Sequence, residues 1–155
     1  MSEESRRRAL DTAANVLQYK QRSAAALYDR LVEKEIAPED AEYAVARLRA
    51  LGYLDDVSYA AAFARDLAAR GYGRARVRAA LREKKVAAED IEQALEGFEP
   101  DREKLFAYIS ARLAEDPHPD RKTVKKISDG LFRRGFSWEE IRAALRDYLE
   151  NDTNE

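Results

Sequence analysis

A chain of 155 residues with 28 basic and 30 acidic side chains, no cysteine, one histidine and a formal net charge of -2 has no means of forming disulfides, Cys-ligated zinc, iron–sulfur clusters or a thiol nucleophile. Only 6 Gly and 4 Pro interrupt a sequence dominated by alanine, leucine, arginine and glutamate, which is the composition of an all-α protein. No apolar run approaches the ~20 residues of a membrane span, and the opening MSEESRRRAL lacks the apolar core of a signal peptide, so a soluble cytoplasmic protein is expected.

Residues 1–8 hold charge and serine without periodicity and are expected to be disordered. A first helix is predicted from about Ala9 to Lys20, with Leu10, Ala13, Ala14 and Leu17 inward. Ser23 can cap a second helix that turns Leu27 and Leu31 toward the core before Ile36. Pro38 suits the first turn of a third helix, where Glu39, Asp40 and Glu42 meet the positive end of the helix dipole, and Gly52 can close it in the left-handed conformation. Asp55 or Asp56 can cap the next helix, whose Tyr59, Phe63 and Leu67 recur every fourth residue. Gly71-Tyr72-Gly73 ends it and a strongly basic helix follows. Farther on, Asp116-Pro117-His118-Pro119-Asp120 forbids a continuous helix. Phe63, Phe106, Phe132, Phe136 and Tyr59 fit inward helical positions, and Trp138, in the first turn of the last helix, is expected to cover the end of the fold.

The pattern recurs at steps of 50 residues. Leu27, Leu31, Ile36, Ala41, Ala44 and Val45 correspond to Val77, Leu81, Val86, Ile91, Ala94 and Leu95, and again to Ile127, Leu131, Phe136, Ile141, Ala144 and Leu145. The acidic turns APED, AAED and SWEE recur at the same step. This spacing predicts three tandem three-helix repeats over 9–52, 53–99 and 100–150, followed by a polar tail at 151–155. One repeat buries little core alone, so an elongated, curved, solenoid-like body is expected.

Charge is concentrated rather than spread. Arg70, Arg74, Arg76, Arg78, Arg82, Lys84 and Lys85 crowd one stretch, and Arg121, Lys122, Lys125, Lys126, Arg133 and Arg134 another, while Glu89, Asp90, Glu92, Glu96 and Glu99 make an acidic block between them. Basic helical surfaces of this kind neutralise phosphates or meet an acidic partner, so these cations are the candidate binding residues. Tyr72, between two glycines and beside Arg70 and Arg74, is a candidate for stacking on a nucleobase. No catalytic constellation is visible: His118 has no second histidine or cysteine with which to hold zinc or build a nucleophilic triad, and there is no phosphate-binding GxxxxGK[ST] loop. Neither catalysis, nor a metal, nor a cofactor is expected.

The run Gly52-Tyr53-Leu54-Asp55-Asp56, Tyr59-Ala60, Phe63-Ala64, Arg70-Gly71-Tyr72-Gly73-Arg74 and Val77-Arg78-Ala79-Ala80-Leu81 closely resembles the central signature of the bacterial RecX regulatory proteins. The resemblance covers the chain from about Ala9 to Leu149 and implies three three-helix repeats. It also implies a non-enzymatic modulator of the recombinase RecA, which binds the RecA filament on single-stranded DNA and inhibits recombinase, ATPase and co-protease activity. Lodging in the filament groove and blocking filament extension are the implied modes of action. A monomer with weak, salt-sensitive affinity for single-stranded DNA and none for membranes is expected. The chain departs from the family where second helices commonly finish with a glycine: Gly135 fits, but Glu35 and Lys85 occupy the equivalent positions, so those helices are expected to end with another cap or to fray. A helix-turn-helix-like DNA-binding protein and a helical protein-interaction scaffold are the alternatives, although the basic helices offer Arg, Lys and Ala, which suit phosphates better than base edges.

Overall fold

The computed structural model describes residues 2–153 except 115 and 117, and side chains through 150. Among the described residues there are nine helices and no strand: α1 (Glu3–Tyr19), α2 (Ala24–Glu33), α3 (Pro38–Ala50), α4 (Asp56–Ala69), α5 (Arg74–Glu83), α6 (Ala88–Leu95), α7 (Arg102–Leu113), α8 (Arg121–Arg133) and α9 (Trp138–Thr153). The fold is therefore all-α and built of helical repeats. Of the eighteen residues that recur at 50-residue steps, only Val45 and Ala94 fall short of full burial, because the same helical faces turn inward each time.

Three local results differ from the sequence expectation. Helix α1 begins at Glu3, inside the stretch expected to be disordered, because Ser2 and Ser5 exchange backbone-to-hydroxyl hydrogen bonds of 3.0 and 3.0 Å. This reciprocal capping satisfies two N–H groups of the first turn, and the Arg6 guanidinium lies 4.6 Å from the centre of the Tyr43 ring. Helix α9 runs to Thr153 through the expected start of the polar tail, whose residues 154 and 155 lie outside the described residues, as does Met1 at the other end. On α4 the fully buried face is Ala60, Ala64 and Ala68, while Tyr59, Phe63 and Leu67 are half-buried. On α1, likewise, Ala9, Ala13 and Val16 are buried and Ala14 is exposed.

The helices carrying Glu35 and Lys85 end as the one carrying Gly135 does. Their φ angles are 69, 62 and 103°, all left-handed. In each case the next N–H reaches back to a leucine carbonyl: Ile36 to Leu31 (3.0 Å), Val86 to Leu81 (3.2 Å) and Phe136 to Leu131 (3.1 Å). This is the Schellman arrangement, which glycine favours because it has no Cβ. Fraying does not occur, because burial of Ile36, Val86 and Phe136 immediately after the cap holds the turn closed.

By compactness the chain divides into Met1–Ala62 with Leu81–Glu96, and Phe63–Ala80 with Gly97–Glu155. The core of the first unit gathers Ala9, Ala13, Leu27, Leu31, Ala44 and Leu48 from α1, α2 and α3. Two buried polar side chains organise it. Ser23 Oγ accepts from the Ala26 N–H (3.1 Å) and donates to the Lys84 carbonyl (2.9 Å). Asp56, 8% exposed, does not cap its own helix: its Oδ1 accepts from the Ala24 N–H at 2.9 Å, and Arg49 stands 3.5 Å from its Oδ2. Asp55 is the α4 cap instead, accepting from the Ser58 N–H at 3.1 Å and hydroxyl at 3.0 Å.

The second unit is centred on Ile109, Ile127, Leu131, Phe136 and Ile141. The α4–α5 turn crosses the α8–α9 turn there through two backbone hydrogen bonds, Gly73 N–H to the Arg134 carbonyl (2.8 Å) and Ala75 N–H to the Gly135 carbonyl (3.1 Å). Only glycine permits this crossing. A Cβ on Gly73 would lie 2.6 Å from the Gly135 carbonyl, and one on Gly135 would collide with the Arg76 nitrogen.

Candidate nucleic-acid interface

The glycine crossing sets Tyr72 beside Arg134, and from there cations and tyrosines alternate within the second unit. The Arg76 guanidinium lies 5.3 Å from the Tyr72 ring centre, Arg134 5.1 Å from Tyr72 and 5.1 Å from Tyr108, and Arg112 3.4 Å from Tyr108. Each ring face attracts a guanidinium through its quadrupole and restrains it without consuming its N–H donors. Arg112 additionally donates to the Tyr108 carbonyl at 3.2 Å. The order Arg76, Tyr72, Arg134, Tyr108, Arg112 thus forms a ladder that draws on α5, the turn before it, α7 and the end of α8.

Beside the ladder, Arg70, Lys104, Arg112 and Arg134 line a cavity of about 260 Å³ whose walls include no carboxylate. Arg70 also pairs with Asp66 at 3.1 Å on the exposed surface. Tyr108 and Arg112 also line a wider groove of about 700 Å³ with Thr123, Lys126, Asp129 and Arg133. A phosphate or carboxylate in the cavity would meet Arg112 and Arg134, both held against tyrosine rings.

The sequence candidates are distributed unevenly. Arg70, Tyr72, Arg76 and Arg134 join the cluster. Arg74 is turned aside, its Nη2 3.4 Å from the Phe98 carbonyl and its guanidinium 5.6 Å from the Phe98 ring. Arg78 is half-buried and engaged, and Arg82 is exposed. In the first unit Lys84 is exposed, and exposed Lys85 pairs with Asp29 at 2.8 Å. On α8, Arg121, Lys122, Lys125, Lys126 and Arg133 are all exposed, and Lys125 lies 3.8 Å from Asp129. Lys104, Tyr108 and Arg112 were not legible as site residues because α7, with Arg102, Lys104 and Arg112 against Glu103, lies outside the two dense basic stretches; the four-residue step from Tyr108 to Arg112 was their one signal.

Phe132 is a correction. It is 50% exposed and stacks on Trp138, 43% exposed, at 4.5 Å and 7°, because Leu131 and Phe136 already occupy the inward positions on either side. At the head of α8, Asp120 accepts from the Thr123 N–H at 2.8 Å, a bond that holds its carboxyl below the ordinary value of 3.8. Asp55 is lowered for the same reason by Ser58. His118 is exposed, and its N–H donates to Asp116 at 2.9 Å. Among the described residues no cluster of three potential metal ligands occurs, and no helix is long and apolar enough to cross a membrane.

Comparison with known proteins identifies the family and the fold. The description "RecX, first three-helix domain" matches residues 9–48 and "RecX, second three-helix domain" matches residues 55–95. A regulatory protein RecX of Xanthomonas citri is 37% identical over 140 residues, covering 90% of this chain and 86% of the relative. The chain belongs to the RecX family. Its fold agrees with crystal structures of RecX proteins: that from Lactobacillus salivarius superposes with a TM-score of 0.86 at 20% identity, covering 95% of this chain and 98% of the other. A second structure, of a regulatory protein RecX, gives 0.79 at 25% identity over 92% and 72%. The RecX signature of the sequence is largely scaffold: Gly73 makes the crossing, while Asp55 and Asp56 cap α4 and α2.

Proposed function

We propose that this RecX-family chain is a non-enzymatic regulator that binds the RecA filament on single-stranded DNA and inhibits its recombinase, ATPase and co-protease activity. Acting in the cytoplasm as a monomer, it lodges in the filament groove or blocks filament extension. The observation that supports this most is the cavity walled by Arg70, Lys104, Arg112 and Arg134 without a carboxylate, next to the arginine–tyrosine ladder. Guanidiniums restrained by ring faces lose little freedom when a phosphate or acidic side chain arrives. Neutralised phosphates then release counterions, so the DNA component of binding is weak and salt-sensitive. Arg76, Arg82, Lys84, Lys85 and the α8 cations Arg121, Lys122, Lys125, Lys126 and Arg133 extend the contact surface.

The test is RecA's DNA-dependent ATP hydrolysis and strand exchange with increasing amounts of the chain at low salt. Inhibition that weakens in an Arg112→Gln, Arg134→Gln double variant is expected. Unchanged hydrolysis at equimolar protein rejects the proposal.

A further inference from the structure

Phe132 and Trp138 stand outside the tyrosine ladder, and the reading of the chain as a nucleic-acid binder leaves them unused. Their rings lie 4.5 Å apart and within 7° of parallel, so each gives one face to the other, yet 50% and 43% of the two residues stay exposed. They are the large hydrophobic residues that the second unit leaves in solvent among its described residues. An isolated apolar pair of this kind calls for an explanation, since exposed apolar area marks contact surfaces when its surroundings are polar.

The surroundings on α8 are cationic. Steps of three, four and seven residues return to the same helix face, which sets Arg121, Lys125, Asp129 and Phe132 in one stripe, two cations and one carboxylate leading to the ring. That stripe is about 16 Å long at the rise of an α-helix. Arg121 and Lys125 are both exposed, and the pairing of Lys125 with Asp129, 3.8 Å away between solvated side chains, is too weak to occupy it. Arg133 follows Phe132. The opposing charges next to Trp138 are Glu139, which is exposed, and Glu140, whose Oε1 accepts from the Ser137 N–H at 2.9 Å as part of the α9 cap. A flat pair of rings at the end of a cationic stripe fits a base on a phosphate backbone. A protein helix seeking a groove would require apolar continuation, and the stripe offers cations instead.

We propose that the Phe132–Trp138 stack is a nucleobase platform, on which an unpaired base stacks while Arg121 and Lys125 neutralise the phosphates leading to it. The ligand is single-stranded nucleic acid, because a paired base has its faces covered by its neighbours. This rests on the nucleic-acid half of the proposed function and adds to it a site distinct from the arginine–tyrosine ladder.

Trp138 is the one tryptophan of the chain, so its emission reports on the site directly. The whole chain is titrated with a short oligothymidylate, with an abasic deoxyribose–phosphate strand of equal length and with a duplex. Quenching by oligothymidylate alone is expected. Phe132→Ala, at an exposed position that leaves the fluorophore in place, should weaken oligothymidylate binding about tenfold without changing the salt dependence. Arg121→Gln with Lys125→Gln should instead flatten the salt slope by about 0.7 per lost phosphate contact. Equal quenching by the abasic strand or the duplex, no quenching by oligothymidylate, or Phe132→Ala binding as the parent does, each overturns the platform. Quenching by the recombinase without DNA, and not by oligothymidylate, overturns it in favour of a protein dock. ATPase inhibition measured on the same samples separates the two proposals: inhibition without quenching removes the platform alone, and quenching without inhibition removes the regulator reading alone.

Discussion

Gly73→Ala tests the backbone crossing on which the candidate interface is built. The added Cβ would sit 2.6 Å from both the carbonyl carbon and oxygen of Gly135 and 2.9 Å from the Phe136 nitrogen. All three are backbone atoms, so no flexible side chain can move aside. Restoring ordinary contact requires the two turns to separate by about 0.8 Å. That stretches the 2.8 and 3.1 Å bonds from Gly73 and Ala75 past hydrogen-bonding range. Two lost bonds cost ~1 kcal/mol each, and the buried groups left unpaired add at least another, for a total of about 3 kcal/mol. At ~2–4 °C per kcal/mol for a chain of this size, the melting temperature should fall by roughly 6–12 °C. Thermal unfolding followed by circular dichroism reads this, with Gly97→Ala as control, since no atom lies within 4 Å of its Cβ. A Gly73→Ala variant melting within about 2 °C of the parent would show that the crossing gives way without loss and would refute the reasoning.

Glu35→Gly should stabilise the chain by about 0.5–1 kcal/mol in urea unfolding, because relief of ~1–2 kcal/mol of left-handed strain at φ 69° exceeds the added entropy of the unfolded glycine. Lys85→Gly should gain less, since it also removes the 2.8 Å pair with Asp29. Ser23→Ala should cost about 2 kcal/mol by the same measurement, losing the α2 cap and leaving the Lys84 carbonyl unpaired. Asp55 and Asp120 have folded pKa values lowered below 3.8. Their stabilising contribution is therefore complete above the unfolded value and is lost as pH falls through the folded ones. Urea midpoints from neutral pH downward should drop in that acid window, and the Asp55→Asn, Asp120→Asn double variant, which keeps the caps, should show a flatter limb.

The helix starts were legible because their causes are local. Ser23 holds the Ala26 N–H and Asp55 the Ser58 N–H, each three residues on, and Pro38 suits the first turn through its fixed φ. The exception at α1 was local too: Ser2 and Ser5 form a capping box with serine where glutamate or glutamine is usual, a pattern easily passed over in a charged N-terminus. At Asp55 and Asp56 the sequence left two candidates for one cap, and the fold uses both, sending the Asp56 carboxylate to the distant Ala24 N–H.

By itself, the sequence determined the all-α class, the recurrence of the core positions at 50-residue steps and the concentration of cations, since composition and periodicity act along the chain. It also carried the RecX signature, much of which proves to hold the scaffold. The tertiary structure decided which cations assemble. The step from Tyr72 to Arg134 exists only because two glycines let distant turns touch, and Lys104 and Arg112 complete the cavity from α7, outside the two basic stretches of the sequence. It also decided that Phe132 faces solvent, because Leu131 and Phe136 already fill the core on either side of it. Periodicity specifies a helix face to within about one residue in 3.6, and packing against partners remote in sequence selects among the neighbours.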